Sequence, residues 1–251
     1  ERLKEEDKIV EFLYKLSLHS FKNQFCWIEN NQENINLEKL YQTISKKTEN
    51  NQSISRIEIL LLLAYRPISY FKKITKDLLN DIDNNFFEEI IVQQIDDLEK
   101  ERILQKGIKN LTQIDNEISN RVRKQYEDNP FPRWDANIKK NKVPYIHIIK
   151  AQTYKNFKQI PIKKILIAGC GTGLQPINIA LYDPKVSIDA IDLSLNSLSY
   201  GKRQAEKMNI KNINWYQADI LKLRDYKKKY DVIESGGVLH HMENPEEGFK
   251  I

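Results

Sequence analysis

Three glycines at alternate positions, Gly169, Gly171 and Gly173, follow the apolar run Ile165–Ala168 in ILIAGCGTG, within a chain that has only 8 glycines. Glycines so spaced let the backbone turn tightly and bring its N–H groups, and the start of a helix, close to a ligand. A P-loop would continue with Lys and Ser or Thr; Leu174 follows Gly173, which removes that chemistry. A G-x-G-x-x-G dinucleotide turn would want its third small residue at 174, and that position is again leucine. Another kind of cofactor turn, or an ordinary strand-to-helix corner, remains. Two carboxylates bear on the choice. Asp192 lies 23 residues beyond Gly169, where a carboxylate can accept hydrogen bonds from both hydroxyls of a ribose. Its competing role, capping the next helix, suits Ser194 better. Asp219 can take the exocyclic amine of an adenine, with Ile220 lying against the ring. Glu234-Ser235-Gly236-Gly237 and then VLHHMENP close the series. Asp189 reads as structural.

These residues need a scaffold that brings them together, and the patterning from Ile162 onward provides one. KKILIA reads as a strand, LQPINIALY as a helix closed by Asp183–Pro184, and Val186–Asp192 as a second strand. A helix capped by Ser194 runs to about Met208; Ile213–Asp219 and Tyr230–Gly236 are the third and fourth strands. Strands separated by helices imply a parallel, doubly wound α/β sheet, whose ligands bind at the carboxyl ends of the strands. Each candidate residue falls at such an end.

The chain before this is different. Residues 1–125 read as an all-helical domain. Ile9, Phe12, Leu13 and Leu16 mark one buried helix face; Leu37, Leu40, Tyr41 and Ile44 mark another. Ile57–Tyr65 reads as a buried helix ending before Pro67; Ile91, Ile95 and Leu98, then Ile114, Ile118 and Val122, complete the set. These stripes read as core rather than as a ligand box. Residues 126–161 form a proline- and aromatic-rich connector, YEDNPFPRW at its start, whose Phe131 and Trp134 need a seam or a pocket to bury against. The domain reading is therefore 1–125 helical, 126–161 connector and 162–251 α/β.

Composition narrows the function. The chain has 251 residues, 40% hydrophobic and 30% charged, with a formal net charge of +5. Lysines interleave with acids throughout, so bulk charge does not select a nucleic-acid partner. The longest apolar run is far too short to cross a bilayer, so no membrane partner is expected. Cys26 and Cys170 lie far apart and the four histidines form no ligand set, which points to no metal and to a reduced, cytoplasmic setting.

ILIAGCGTG, AIDLS, QADI and YDVIESGGVLHHMENP, in that order and spacing, resemble the successive motifs of class I S-adenosylmethionine-dependent methyltransferases across residues 162–251. More loosely, Phe12–Trp27 and Val122–Trp134 are similar to a bacterial group in which a helical region, often downstream of tetratricopeptide repeats, precedes the catalytic domain. The resemblance implies a Rossmann-like sheet and S-adenosyl-L-methionine as cofactor. Gly169, Gly171 and Gly173 would surround its methionine part. Asp192 would hold the ribose, and Asp219 with Ile220 the adenine. Ser235 and Gly236 would border the methyl-transfer channel. Ile167 departs from the pattern, standing where many such enzymes carry an acid near the methionine ammonium; another carboxylate or backbone carbonyls would have to serve.

The expected activity is methyl transfer to an acceptor that these residues do not name. ESGG replaces the Asn/Asp-Pro-Pro-aromatic segment that accompanies amino-methylation of adenine or glutamine in the family, and no Pro-Cys nucleophile for cytosine C5 is present. A small molecule or a protein is thus favoured, and the helical half could dock a protein partner. No catalytic residue is required by sequence; His240 or His241, but not both, could face the site as a base. A non-catalytic module binding S-adenosylmethionine or S-adenosylhomocysteine, a scaffold, or more remotely a nicotinamide oxidoreductase, are the alternatives. The usual fold has seven strands. Only four are recognisable here, and the chain begins and ends inside helical patterns, so the expectation is an incomplete sheet in a fragment without turnover of its own.

Overall fold

The computed structural model describes residues 5–128, 130–134, 145, 161–242 and 244–251. Much of the connector read at 126–161, and Glu243, lie outside these. The chain divides into two compact units, Glu1–Glu99 and Lys100–Ile251.

The first unit is helical: α1 (Glu5–Lys22), α2 (Asn31–Glu49), α3 (Arg56–Tyr65) and α4 (Lys76–Ile91). Asn30 with Glu33 and Ser55 with Glu58 form capping boxes that start α2 and α3, each satisfying backbone N–H groups that a helix start leaves orphaned. The apolar helix expected at 57–65 is indeed the centre of the core: Ile59, Leu60, Leu62 and Leu63 are fully buried. The α1 stripe differs from expectation. Leu13, Ser17, Ser20 and Phe21 are its buried residues, while Ile9 and Phe12 are exposed. The two serines are fully buried on that face, and Ser17 Oγ donates to the Tyr14 carbonyl (2.8 Å), so its hydroxyl is satisfied within the helix.

The second unit is built on a parallel five-stranded sheet. Its strands are β1 (Lys109–Asn110), β2 (Lys164–Ala168), β3 (Ser187–Asp192), β4 (Ile213–Gln217) and β5 (Val232–Glu234), in the order β1-β4-β3-β2-β5. The last four are the four read from sequence. β1 is an addition from the stretch read as purely helical; at two residues it is too short to show a period. Helices α5 (Asp97–Gln105), α6 (Glu117–Asp128), α7 (Leu174–Tyr182), α8 (Leu195–Lys207) and α9 (Pro245–Lys250) are its α-helices among the described residues. Strand β2 is buried on both sides. Ile165 and Ile167 join α7 and α8 residues Ile177 and Leu198 in one core; Leu166 and Ala168 join Ile191 and Ala218 in another. The division between units falls ahead of the 125/126 boundary read from sequence. Glu101 makes a buried ion pair with Arg203 (2.9 Å), β1 pairs with β4, and Glu127 caps α8, so residues 100–128 fold with the sheet.

Candidate functional site

The sheet order reverses at β2: β3 lies on one side and β5 on the other, so loops diverge from the strand ends and leave a crevice. A cavity of about 580 Å³ opens there, within the usual range for small-ligand sites.

The glycine turn forms its floor. Gly169 and Cys170 both donate their N–H to the Ile191 carbonyl (2.9 Å each), fastening the turn to β3. Gly169, Gly171 and Gly173 all have positive φ, at 79°, 52° and 82°, a region where a side chain is strained. Their surroundings separate them. A Cβ on Gly171 would meet nothing within 4 Å, whereas one on Gly169 would strike Val238 at 2.3 Å. A Cβ on Gly173 would lie 2.6 Å from Trp215 and 2.9 Å from the Gly201 Cα. Gly169 and Gly171 line the cavity; Gly173, at the start of α7, is absent from the lining and instead lets α7 and α8 close on Trp215. Cys170 is buried, and burial pushes its thiol well above the usual range, which suits packing rather than nucleophilic chemistry.

Asp192 ends β3 and lines the cavity. It accepts from the Gly171 N–H (2.8 Å) and the Ser194 N–H (2.9 Å), which fix its orientation. Burial raises its pKa, and Glu127 adds to this, while the backbone donors of Ser194, Gly171 and Leu193 work the other way. Ser194 caps α8 as expected, accepting from the Ser197 N–H at 3.0 Å. Asp219 follows β4 and is 2% exposed. One oxygen accepts from the Leu221 N–H (2.9 Å); the other, Oδ2, has no partner among the described residues. A buried carboxylate oxygen left without a donor is costly and calls for a ligand that supplies one. Ile220 lines the cavity next to it. Ser235 is exposed at the end of β5 and outside the lining, which Gly236, Gly237 and Glu234 enter instead. Asp189 is structural, held by Asn214 (2.9 Å), Tyr230 (2.7 Å) and Lys228.

The remaining wall comes from residues that sequence reasoning assigned to core or connector. Ile118, Ser119, Val122 and Tyr126 of α6 face the cavity, so a stripe read as core is a site wall. The helix is held there by its end. The Glu127 carboxylate accepts from the Leu195 and Asn196 N–H groups (2.7 and 3.1 Å), and Ser194 Oγ donates to the Tyr126 carbonyl at 3.0 Å. The segment Phe131–Trp134 continues as a strap. Thr172 Oγ1 donates to the Pro132 carbonyl (2.8 Å), Trp134 Nε1 donates to the Thr172 carbonyl (3.2 Å), and Tyr200 OH donates to the Trp134 carbonyl. Phe131 and Pro132 reach the cavity, whereas Arg133 lies over the Tyr200 ring at 5.4 Å. Of the two adjacent histidines His241 lines the cavity, with its Nε2 3.5 Å from Tyr126 OH. The spacing of Asn, Ile, Ser and Val through α6 was a visible signal, but a helix face lining a pocket has the same period as one packed in a core.

Residues 162–251 match a family model described as a methyltransferase domain. The chain is similar to an uncharacterised protein of Synechococcus sp., 32% identical over 91 residues, which cover 36% of this chain and 22% of that one. It is also similar to the malonyl-[acyl-carrier protein] O-methyltransferase of Bacillus cereus, 28% identical over 109 residues covering 43% and 38%. Among solved structures it is similar to PKMT2 of Rickettsia typhi in complex with AdoHcy, 32% identical over 31% of this chain and 15% of that one, with a TM-score of 0.29. The chain spans well under half the length of these curated relatives.

Proposed function

We propose that this chain, whose residues 162–251 match a methyltransferase-domain model, carries a class I S-adenosylmethionine-dependent methyltransferase domain, binds S-adenosylmethionine in the cavity at the ends of β2–β5 and belongs to an enzyme that methylates a small molecule or a protein side chain. The observation that carries this reading is Asp219 Oδ2. It is a buried acceptor with no donor among the described residues, one strand away from Asp192, and it lines the same cavity as Gly171. An exocyclic amine would satisfy Asp219, with Ile220 against the purine. The hydroxyls of a ribose would bond to Asp192, whose carboxylate the Gly171 and Ser194 N–H groups already aim. When bound, the cofactor supplies an electrophilic methyl on a sulfonium, open to in-line displacement. The chain's own part is to position it and keep water out, which the α6 wall and Phe131 do. His241 is the group placed on the wall to accept a proton from an acceptor hydroxyl or amine.

Calorimetric titration with S-adenosylmethionine tests this. Wild type is expected to bind, and Asp192→Ala to bind at least about tenfold more weakly, the loss of two charge-assisted hydrogen bonds. No binding by wild type, or unchanged binding by the variant, overturns the reading. Binding by the full-length protein with no methyl transfer to any of a panel of amines, hydroxyls and carboxylates would assign a binding module instead of an enzyme.

A further inference from the structure

The carboxylate of Glu234 has no role in the reading above. It ends β5, lines the cavity, and stands in register with Ile167 of β2, so both side chains lie on the same face of the sheet. Its partner among the described residues is the neutral amide of Gln175, whose Nε2 donates to it; no Lys, Arg or His there forms an ion pair with it. Gln175 sits in the first turn of α7, directly after the glycine turn, and its Oε1 faces Gly236. A half-buried carboxylate without a cation is unfavourable, and burial pushes its pKa up. The position along the sheet says what would compensate it.

Across the strand ends the candidate ligand groups fall in one order: Asp219 after β4, Asp192 on β3, the glycine turn after β2, and Glu234 on β5. Neighbouring strands are about 4.8 Å apart, so the series spans about 14 Å. S-Adenosylmethionine has the same order of groups: purine amine, ribose diol, sulfonium, and an α-ammonium at the far end. Resting on the function proposed above, we propose that Glu234, with Gln175, is the binding site for the α-ammonium of the bound cofactor. The carboxylate and Gln175 Oε1 both accept, and an ammonium has three donors. The acid expected at position 167 is thereby supplied from the adjacent strand at the same level.

Glu234→Gln keeps the shape and the contact to Gln175 while removing the charge. S-Adenosylhomocysteine is the decisive probe, because it lacks the sulfonium and its ammonium is then its cation. 5′-Methylthioadenosine, which lacks the amino-acid arm, is the control. Calorimetry is expected to show the variant binding S-adenosylhomocysteine at least about tenfold more weakly, binding methylthioadenosine within about twofold of wild type, and melting no lower than wild type at neutral pH. Unchanged affinity for S-adenosylhomocysteine, or equal losses for both ligands, overturns the assignment to Glu234 while leaving the cofactor site standing. If wild type binds neither adenosine compound, the cofactor reading fails and this assignment falls with it.

Discussion

Among residues, the three motif glycines look equivalent in ILIAGCGTG and separate only through their neighbours. Gly173→Ala must push a methyl against Trp215 and the Gly201 backbone at a φ of 82°. Overpacking and left-handed strain together predict a loss of about 2–4 kcal/mol in denaturant unfolding. Gly171→Ala meets no neighbour within 4 Å and should lose only about 1–2 kcal/mol from strain, yet its methyl enters the cavity floor, so S-adenosylhomocysteine affinity should fall by more than its stability. A Gly171→Ala protein that binds as wild type does would remove Gly171 from the site. That Asp192 and Asp219 stand on the cavity wall was legible because their placement is local: an acid at the end of a strand, at a fixed distance from the glycines. Glu234 was not, since its meaning depends on standing level with Ile167 across a strand pairing that sequence does not print. Ser235, chosen by its place in the motif, is exposed and outside the lining that its neighbours Glu234 and Gly236 enter.

Elements were legible where a period runs long enough. The four main strands and α7 and α8 follow from alternating apolar runs, and Ser194 marks its helix start. β1 has two residues and joins the sheet only because β4 offers an edge. For α6, the apolar stripe was visible but its partner was not: it faces a cavity. The structure ties this wall to the scaffold chiefly through Glu127, which satisfies two N–H groups at the start of α8. Glu127→Ala leaves both donors without that partner and is expected to cost about 1–2 kcal/mol. Because the cap and the wall are one helix, the same variant should expose α6 amides to faster hydrogen exchange and weaken cofactor binding, with exchange in β3 little changed. Uniform acceleration across the sheet, or unchanged exchange in α6, would show that α6 is held by something else.

At the scale of the whole molecule, proton binding couples stability to the site, and individual carboxylates respond in opposite senses. In the helical unit, Glu29 is held below the usual range by its hydrogen bond to Arg66. A depressed carboxylate contributes stability that is present above its unfolded pKa and is lost as pH falls through the folded one. Glu234 in the sheet unit is raised by burial. Between the unfolded pKa, about 4.3, and the raised folded value, the folded state holds the proton that the unfolded chain has released. The contribution of Glu234 to wild-type stability therefore declines as pH rises through that window, and stays reduced above it. Glu234→Gln cannot ionise and escapes the decline. Every other ionisable group on the cavity wall is common to both proteins, so the difference between them isolates Glu234. Urea unfolding should find the variant at least as stable as wild type at pH 7, with the advantage shrinking toward pH 4, where both side chains are neutral. Saturating S-adenosylhomocysteine should reverse the order at pH 7, because a ligand stabilises in proportion to the logarithm of its affinity and the ammonium holds the charged form of Glu234. A stability difference that does not change with pH would mean the substitution acts through packing, and an order that the ligand leaves unreversed would mean the charge is not there for a cation.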